Sequence, residues 1–280
     1  MKYLIIGKNG QLGKEFIKTL DRRKKDFAAL GHLECDISNL NQVLEISKSI
    51  KPDIVINCAA YNQVDKAEED YTTAIKVNSL GVRNLAYASK KINAFLIHYS
   101  TDYVFDGKKE NGLYTEDDFP NPLNEYGKSK LLGEIFIKEE IEKYLIFRVS
   151  WVYGEGKQNF IYKLMQWAKN NEYLKIAYDE ISVPTSTRTI VEITLKSLDQ
   201  ELTGLYHLTN SGYASRYEWA KKVFEIKDIN KFIKPVSSDI FDLPAKRPKF
   251  SAMSNERLKK ILGIEINSWD KEIEKIIKGD

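Results

Sequence analysis

Tyr126 and Lys130 stand four residues apart in Tyr126-Gly127-Lys128-Ser129-Lys130. On a helix that spacing puts both side chains on one face, one turn apart. A lysine ammonium beside a tyrosine favours the phenolate. It draws the phenol pKa down from about 10 toward the working range of a general acid or base. Tyr126 then has the chemistry to pass a proton to or from a substrate oxygen. A hydroxyl such as that of Thr101, in Ser100-Thr101-Asp102, would hydrogen-bond the same oxygen if the fold brings the two segments together. The pair alone is weak evidence, because tyrosine is frequent here (16 of 280 residues) and surface helices carry such pairs by chance. The surrounding elements have to supply the context.

Composition narrows the function classes. A chain of 280 residues is long enough for a large core in one or two domains. Lys and Arg number 43 against 40 Asp and Glu, a formal charge of +3, with both signs mixed along the chain. That is not the basic stripe of a nucleic-acid-binding protein. No apolar run approaches the roughly 18 residues of a membrane span. Cys35 and Cys58 have neither metal-ligand nor disulfide-framework spacing, and no metal site is expected. Met1 runs straight into a strand pattern and not into a secretory leader, so the expected home is a reducing cytoplasm. His32, His98 and His207 are scattered, and all three read as structural or incidental.

Tyr3-Leu4-Ile5-Ile6 is apolar without alternation, as a strand buried on both faces of a parallel sheet should be. It leads into Gly7-Lys8-Asn9-Gly10-Gln11-Leu12-Gly13 and a helical stretch over 15–20. Glycines at such a turn let the backbone approach a pyrophosphate, whose charge faces the helix N-terminus. The spacing is GxxGxxG and not GxGxxG, yet its place after the first strand points to a bound dinucleotide. Further strands are expected at 27–30, 54–57, 95–100 and 145–149, with helices at 40–50, around 74–85 and at 126–142. This alternation predicts an α/β fold with a doubly wound parallel sheet, Rossmann-like.

Ligands of such sheets bind at the carboxyl ends of the strands. Cys58-Ala59-Ala60-Tyr61, Thr101 and Trp151 all stand there. The small residues at 58–60 would let a cofactor pass close to the backbone, and Trp151 would pack either on a ligand or in the core. Asp36 could bond an adenine amino group with Ile37 against the ring; equally, Asp36 or Ser38 could cap the helix over 40–50. After the second strand, where an acid often holds the ribose of NAD, the chain has Gly31-His32, which leaves NADH and NADPH both open. Beyond Gly154 the elements become shorter. A nucleotide-binding domain over 1–154 and a smaller substrate lobe over 155–280 are expected, some segments of the lobe returning to the sheet. Arg247, in a basic loop marked by prolines, is a candidate partner for a substrate phosphate.

In this order, GKNGQLG, NCAAYNQVDKAE, HYSTDYVFDG, YGKSK and RVSWVYG resemble the extended short-chain dehydrogenase/reductases. With SVPT, GLYHLTNSG and KRPKFS the similarity covers the whole chain and is to the dTDP-4-dehydrorhamnose reductases. The resemblance implies Tyr126 as proton donor, Lys130 as holder of the tyrosine and the nicotinamide ribose, and Thr101 as the residue tuning the pair. It implies a cofactor, NADPH or NADH, lined by Gly10, Gln11, Leu12, Asp36, Ile37, Ala59, Ala60 and Tyr99, and a dTDP-deoxysugar against Asp102 and Trp151. Asn78 matches the NxxG position of the wider superfamily. The implied reaction reduces a 4-keto-6-deoxy sugar on dTDP to dTDP-L-rhamnose. Related dehydratases carry Thr-Asp-Glu where this chain has Tyr103, so dehydration lacks its base. Reduction of another 4-keto deoxysugar, or a regulatory role like that of the methionine adenosyltransferase subunit similar to these reductases, is the alternative. Oligomeric state, a homodimer included, and any Mg²⁺ are not readable.

Overall fold

The computed structural model describes residues 1–279. Its centre is a six-stranded parallel sheet. Five strands are β1 (Lys2–Ile6), β2 (Asp26–Leu30), β3 (Ile54–Asn57), β4 (Phe95–Thr101) and β5 (Tyr144–Val149). The sixth is Gly204–His207, and the order across the sheet is Gly204–His207, β5, β4, β3, β1, β2. The chain reverses direction across the sheet between β1 and β3, which places a crevice at their carboxyl ends.

The unalternating apolar runs have a direct cause. Successive residues of β1 serve opposite layers: Tyr3 and Ile5 face one core, Leu4 and Ile6 the other. The helices near the site are α1 (Gln11–Arg22), α2 (Leu40–Ile50), α3 (Val64–Glu69), α4 (Tyr71–Ile75), α5 (Val82–Lys91) and α6 (Glu125–Glu140). Helix α1 covers the first face together with the Thr187–Asp199 and Glu256–Leu262 helices. Helices α2, α5 and α6 cover the second. A third apolar cluster forms a smaller body. There the Phe160–Asn170, Arg216–Ile226 and Trp269–Lys278 helices pack over a parallel strand pair, Leu174–Ala177 with Ile233–Val236.

The second half of the chain thus divides between two bodies, since Ile190, Val191, Leu208 and Leu258 belong to the core of the main sheet. Local details also depart from the sequence pattern. The expected helix around 74–85 is three pieces, α4, a π-helical turn at Lys76–Gly81 and α5. The cap of α2 is Asn39, whose side chain accepts from Gln42 N, and neither Asp36 nor Ser38.

Helix α6 begins sharply because Asn124 accepts from the Gly127 N–H at 2.8 Å. It then lies against its neighbours almost backbone to backbone. A Cβ on Gly127 would fall 2.3 Å from the Tyr103 carbonyl oxygen, and one on Gly133 2.3 Å from that of Asn78. Only glycine permits either approach, and the first of them sets where Tyr126 stands.

Candidate active site

Strand β4 ends at Thr101, whose hydroxyl accepts from the Tyr103 N–H at 3.2 Å and starts a short turn over Asp102–Val104. That turn receives the first turn of α6, and the Tyr103 ring stands edge-on to the Tyr126 ring, centroids 6.0 Å apart. Thr101 and Tyr126 are thereby brought together, the Thr101 hydroxyl near enough to the phenol to favour its ionised form, while that hydroxyl also donates to Asp102 at 3.3 Å. Burial outweighs this contact and pushes the Tyr126 phenol above its usual range. The lysine-induced phenolate expected from spacing is not what the geometry holds. Lys130 Nζ instead donates to the Tyr99 carbonyl at 2.6 Å and lies 3.4 Å from His98 Nε2. A phenol kept protonated is the form that a proton donor needs. Lys130 is itself buried, which draws its pKa down to about 8.

The glycine turn after β1 divides by cause. Gly7 has φ +90°, and a Cβ there would lie 2.7 Å from the Ala59 nitrogen. A Cβ on Gly13 would meet the Gly7 carbonyl at 2.3 Å. Both glycines are demanded by the protein's own packing. Gly10 is different: it caps α1 with ordinary φ, and the nearest atom to an added Cβ is at 3.5 Å. Internal packing does not require glycine there, whereas a phosphate on the N–H groups of α1 would. The residues present therefore fit a dinucleotide.

The other residues expected around the cofactor are distributed unevenly. Ala59 and Ala60 follow β3 beside Gly7, with the Cys58 carbonyl carbon 2.8 Å from where a Gly7 Cβ would lie. Asp36 accepts from the N–H and hydroxyl of Ser38, at 2.9 and 2.7 Å. Ile37 is buried, seated where Gly81 lacks a side chain. Leu12 is buried in the first core. Gln11 reaches across to donate to the Val152 carbonyl at 3.0 Å, tying α1 to the segment after β5. Tyr99 requires a correction. Its ring lies in the core near Phe16 and Phe147, with its hydroxyl on Thr194 at 2.8 Å, and only its carbonyl turns to the site. Alternation along β4 explains this, because Ser100 and His98 face one layer and Tyr99 the other.

Two features were not legible in the sequence. Glu34 folds back onto the end of β2, accepting from Gly31 N at 2.7 Å and pairing with Lys8 at 2.6 Å. A carboxylate and an ammonium thus stand where the sequence offered only Gly31-His32. His98, read as incidental, contacts Lys130 and Asn57. Its burial was visible in an apolar strand, but its partners come from elements 32 and 41 residues away.

Asp102 is buried and accepts from Ser182 at 2.8 Å and Ser251 at 2.6 Å. Those serines belong to the SVPT and KRPKFS stretches, so the carboxylate binds two distant loops to the end of β4. Burial raises its pKa. Trp151 and Arg247 line a cleft of about 850 Å³ that opens into the smaller body, bordered also by Phe160, Arg216 and Phe241. Trp151 has a positive φ of 40°, a conformation that costs of order 1–3 kcal/mol in a non-glycine residue. Its surroundings hold it there: Trp219 stacks at 5.6 Å and the Arg216 guanidinium lies 3.6 Å over the ring. Arg247 pairs with Asp65 at 2.7 Å and donates to the Ala245 carbonyl at the cleft edge. Asn78, on the π-helical turn, bonds both the N–H and the carbonyl of Tyr61 and the Ser129 hydroxyl, at 2.8, 3.0 and 3.0 Å. Among the described residues no group of three or more His, Cys, Asp or Glu is placed to hold a metal ion, and no helix is long and apolar enough to cross a membrane.

Over residues 1–280 the sequence matches the family described as RmlD substrate binding domain. The dTDP-4-dehydrorhamnose reductase of Burkholderia thailandensis is 35% identical, the match covering 96% of this chain and 95% of that protein. The chain belongs to the dTDP-4-dehydrorhamnose reductase family. A solved member from Clostridium acetobutylicum superposes with a TM-score of 0.96 at 37% identity, over 99% of both chains. Another from Bacillus anthracis, solved in complex with NADP, gives 0.95 at 36% identity, over 100% of this chain and 99% of that one. The Rossmann-like parallel sheet expected from the sequence is the family's fold, and these members are oxidoreductases.

Proposed function

We propose that this chain reduces the 4-keto group of dTDP-4-dehydro-6-deoxy-L-mannose to dTDP-L-rhamnose, with NADPH or NADH as reductant and Tyr126 as proton donor. The observation that carries this reading is the meeting of Thr101, at the carboxyl end of β4, with the first turn of α6, where Tyr126 stands edge-on to Tyr103 with ring centroids 6.0 Å apart. In a parallel sheet that end of β4 is on the same edge as the glycine turn after β1. The N-terminus of α1, with Gly10 leaving room, would hold the cofactor pyrophosphate, Ala59 and Ala60 would flank it, and Asp36 would take the adenine amino group. A reduced nicotinamide supplies the hydride.

Negative charge grows on the keto oxygen as reduction proceeds. Tyr126 hands that oxygen its proton while Thr101 hydrogen-bonds it, so both groups act mainly on the transition state. Proton donation of this kind contributes typically 10²- to 10⁴-fold. Lys130 would hold the nicotinamide ribose through N–H groups not spent on Tyr99. The nucleotide would lie in the cleft beside Trp151, where Arg247 exchanges part of its hold on Asp65 for a diphosphate oxygen. Tyr103, packed against Tyr126, puts no carboxylate in reach for elimination of water.

A coupled assay tests this. The keto sugar is made in situ from dTDP-glucose by the preceding enzymes, and loss of reduced-nicotinamide absorbance is followed with NADH and NADPH separately. Turnover to dTDP-L-rhamnose is expected. Tight nicotinamide binding without turnover would move the substrate to another 4-keto deoxysugar, or the chain to a regulatory role.

A further inference from the structure

Asn57 and His98 are fully buried polar residues at the carboxyl edge of the sheet, and the reaction above does not use them. Their hydrogen bonds form one chain. The amide oxygen of Asn57 accepts from the Ala59 N–H at 3.0 Å, so the group facing His98 Nδ1, also at 3.0 Å, is the amide NH₂. An NH₂ offers only hydrogen, so Nδ1 is the acceptor, and a neutral imidazole must carry its proton on Nε2. Burial keeps the ring neutral, holding its pKa well below the usual value. Nε2 lies 3.4 Å from Lys130 Nζ. Opposite an ammonium, an Nε2–H sets two donors against each other; opposite an amine, it donates to a lone pair.

We propose that His98 is a positioning residue for Lys130, whose Nε2–H, locked by Asn57, favours the amine over the ammonium and ties the lysine to the cofactor-flanking backbone at Ala59. This rests on the reading of Lys130 as the partner of Tyr126. Every turnover leaves Tyr126 as a phenolate that must regain a proton. A proton passed from the Lys130 ammonium toward Tyr126 leaves a neutral phenol and a neutral amine; the amine accepts a hydrogen bond from the Nε2–H of His98, which keeps its proton, and regains its own proton from solvent. The charged group that acts on Lys130 in the opposite sense is Glu134, on the same helix, which favours the ammonium; its carboxylate is held by Arg148 of β5 through two hydrogen bonds.

The first test uses the chain with no cofactor or sugar. Histidine ¹⁵N NMR at neutral pH, with the His98 signals assigned by their loss in His98→Gln, should show Nδ1 unprotonated and Nε2 protonated. A proton on Nδ1, or on both nitrogens, overturns the proposal. The second test is the pH profile of turnover. His98→Leu should move the basic limb upward by about one unit or more, while His98→Gln, whose NH₂ reaches toward the same place, keeps it near that of the unmodified chain. Superimposable profiles for the unmodified chain and His98→Leu overturn the proposal. If no keto sugar is reduced, the assignment of the reaction falls, and the NMR result still decides the role of His98.

Discussion

Two buried cations lie close together beneath α6 and are treated in opposite ways. Arg148 of β5 meets Glu134 with two parallel hydrogen bonds, 3.0 and 2.8 Å, between side chains 3% and 0% exposed. Lys130, one turn earlier on α6, has a carbonyl and an imidazole for company; among the described residues it forms no ion pair with a carboxylate. Its proton is correspondingly loose, at a pKa of about 8. The arginine has a counter-charge and holds strand to helix. The lysine lacks one, and burial without a counter-charge is the arrangement that makes a proton available for chemistry.

That contrast can be broken from either side. The largest expected effect is on Tyr126→Phe, which should lose at least a hundredfold in turnover while NADPH affinity, measured by fluorescence titration, stays nearly intact. Unaltered turnover would remove Tyr126 as the donor. On the paired side, Glu134→Ala should lower stability in urea unfolding by about 3–5 kcal/mol, because it strands a buried guanidinium. Replacing both partners, Glu134→Leu with Arg148→Met, should restore most of the loss.

Lys130→Met should behave in the reverse manner, abolishing turnover while costing no more than about 1 kcal/mol of stability at pH 7. The folded-state pKa of Lys130, about 8, lies below the value of about 10.4 for an unfolded chain. Between those values the unfolded chain binds more protons. The stability of the unmodified protein relative to Lys130→Met should therefore rise with pH across that window. A flat difference would mean that the lysine is not perturbed.

Two glycine substitutions complete the series. Gly127→Ala should shift α6 away from the Tyr103 carbonyl and reduce turnover by roughly a hundredfold, the usual cost of misplacing a reacting group by an ångström. Gly10→Ala should alter stability by no more than about 1 kcal/mol and weaken NADPH binding, since only a ligand needs that space. If Gly10→Ala bound NADPH normally, the pyrophosphate would lie elsewhere.

The strands were legible because both faces of a parallel sheet are buried, and short apolar runs such as Ile54-Val55-Ile56 have few other homes. The same burial hid which residue faces which layer. Tyr99 and His98 are neighbours in one apolar run, and nothing in their types told that the histidine meets the lysine while the tyrosine turns away. Tyr126 and Lys130 could be singled out because they stand four residues apart on one helix, and Thr101 because it closes an apolar strand, but that Lys130 turns to the Tyr99 carbonyl and His98 was not readable from that spacing. Partners set by long-range folding, such as Glu34 on Gly31 and Ser182 and Ser251 on Asp102, left no local signal. The left-handed Trp151 was unreadable for a related reason, since its conformation is imposed by Trp219 and Arg216, 68 and 65 residues further on.

The pairing of Gly204–His207 with β5 has a consequence for synthesis on the ribosome. Strand β5 is made about 55 residues before its outer neighbour exists. At roughly 5–20 residues per second, its free edge, with Ile146 and Phe147 in it, waits unpaired for several seconds. A chain halted before residue 204 would present a nearly complete sheet with one open apolar border to other nascent chains. Truncation in that interval should therefore produce aggregates, not a small functional domain.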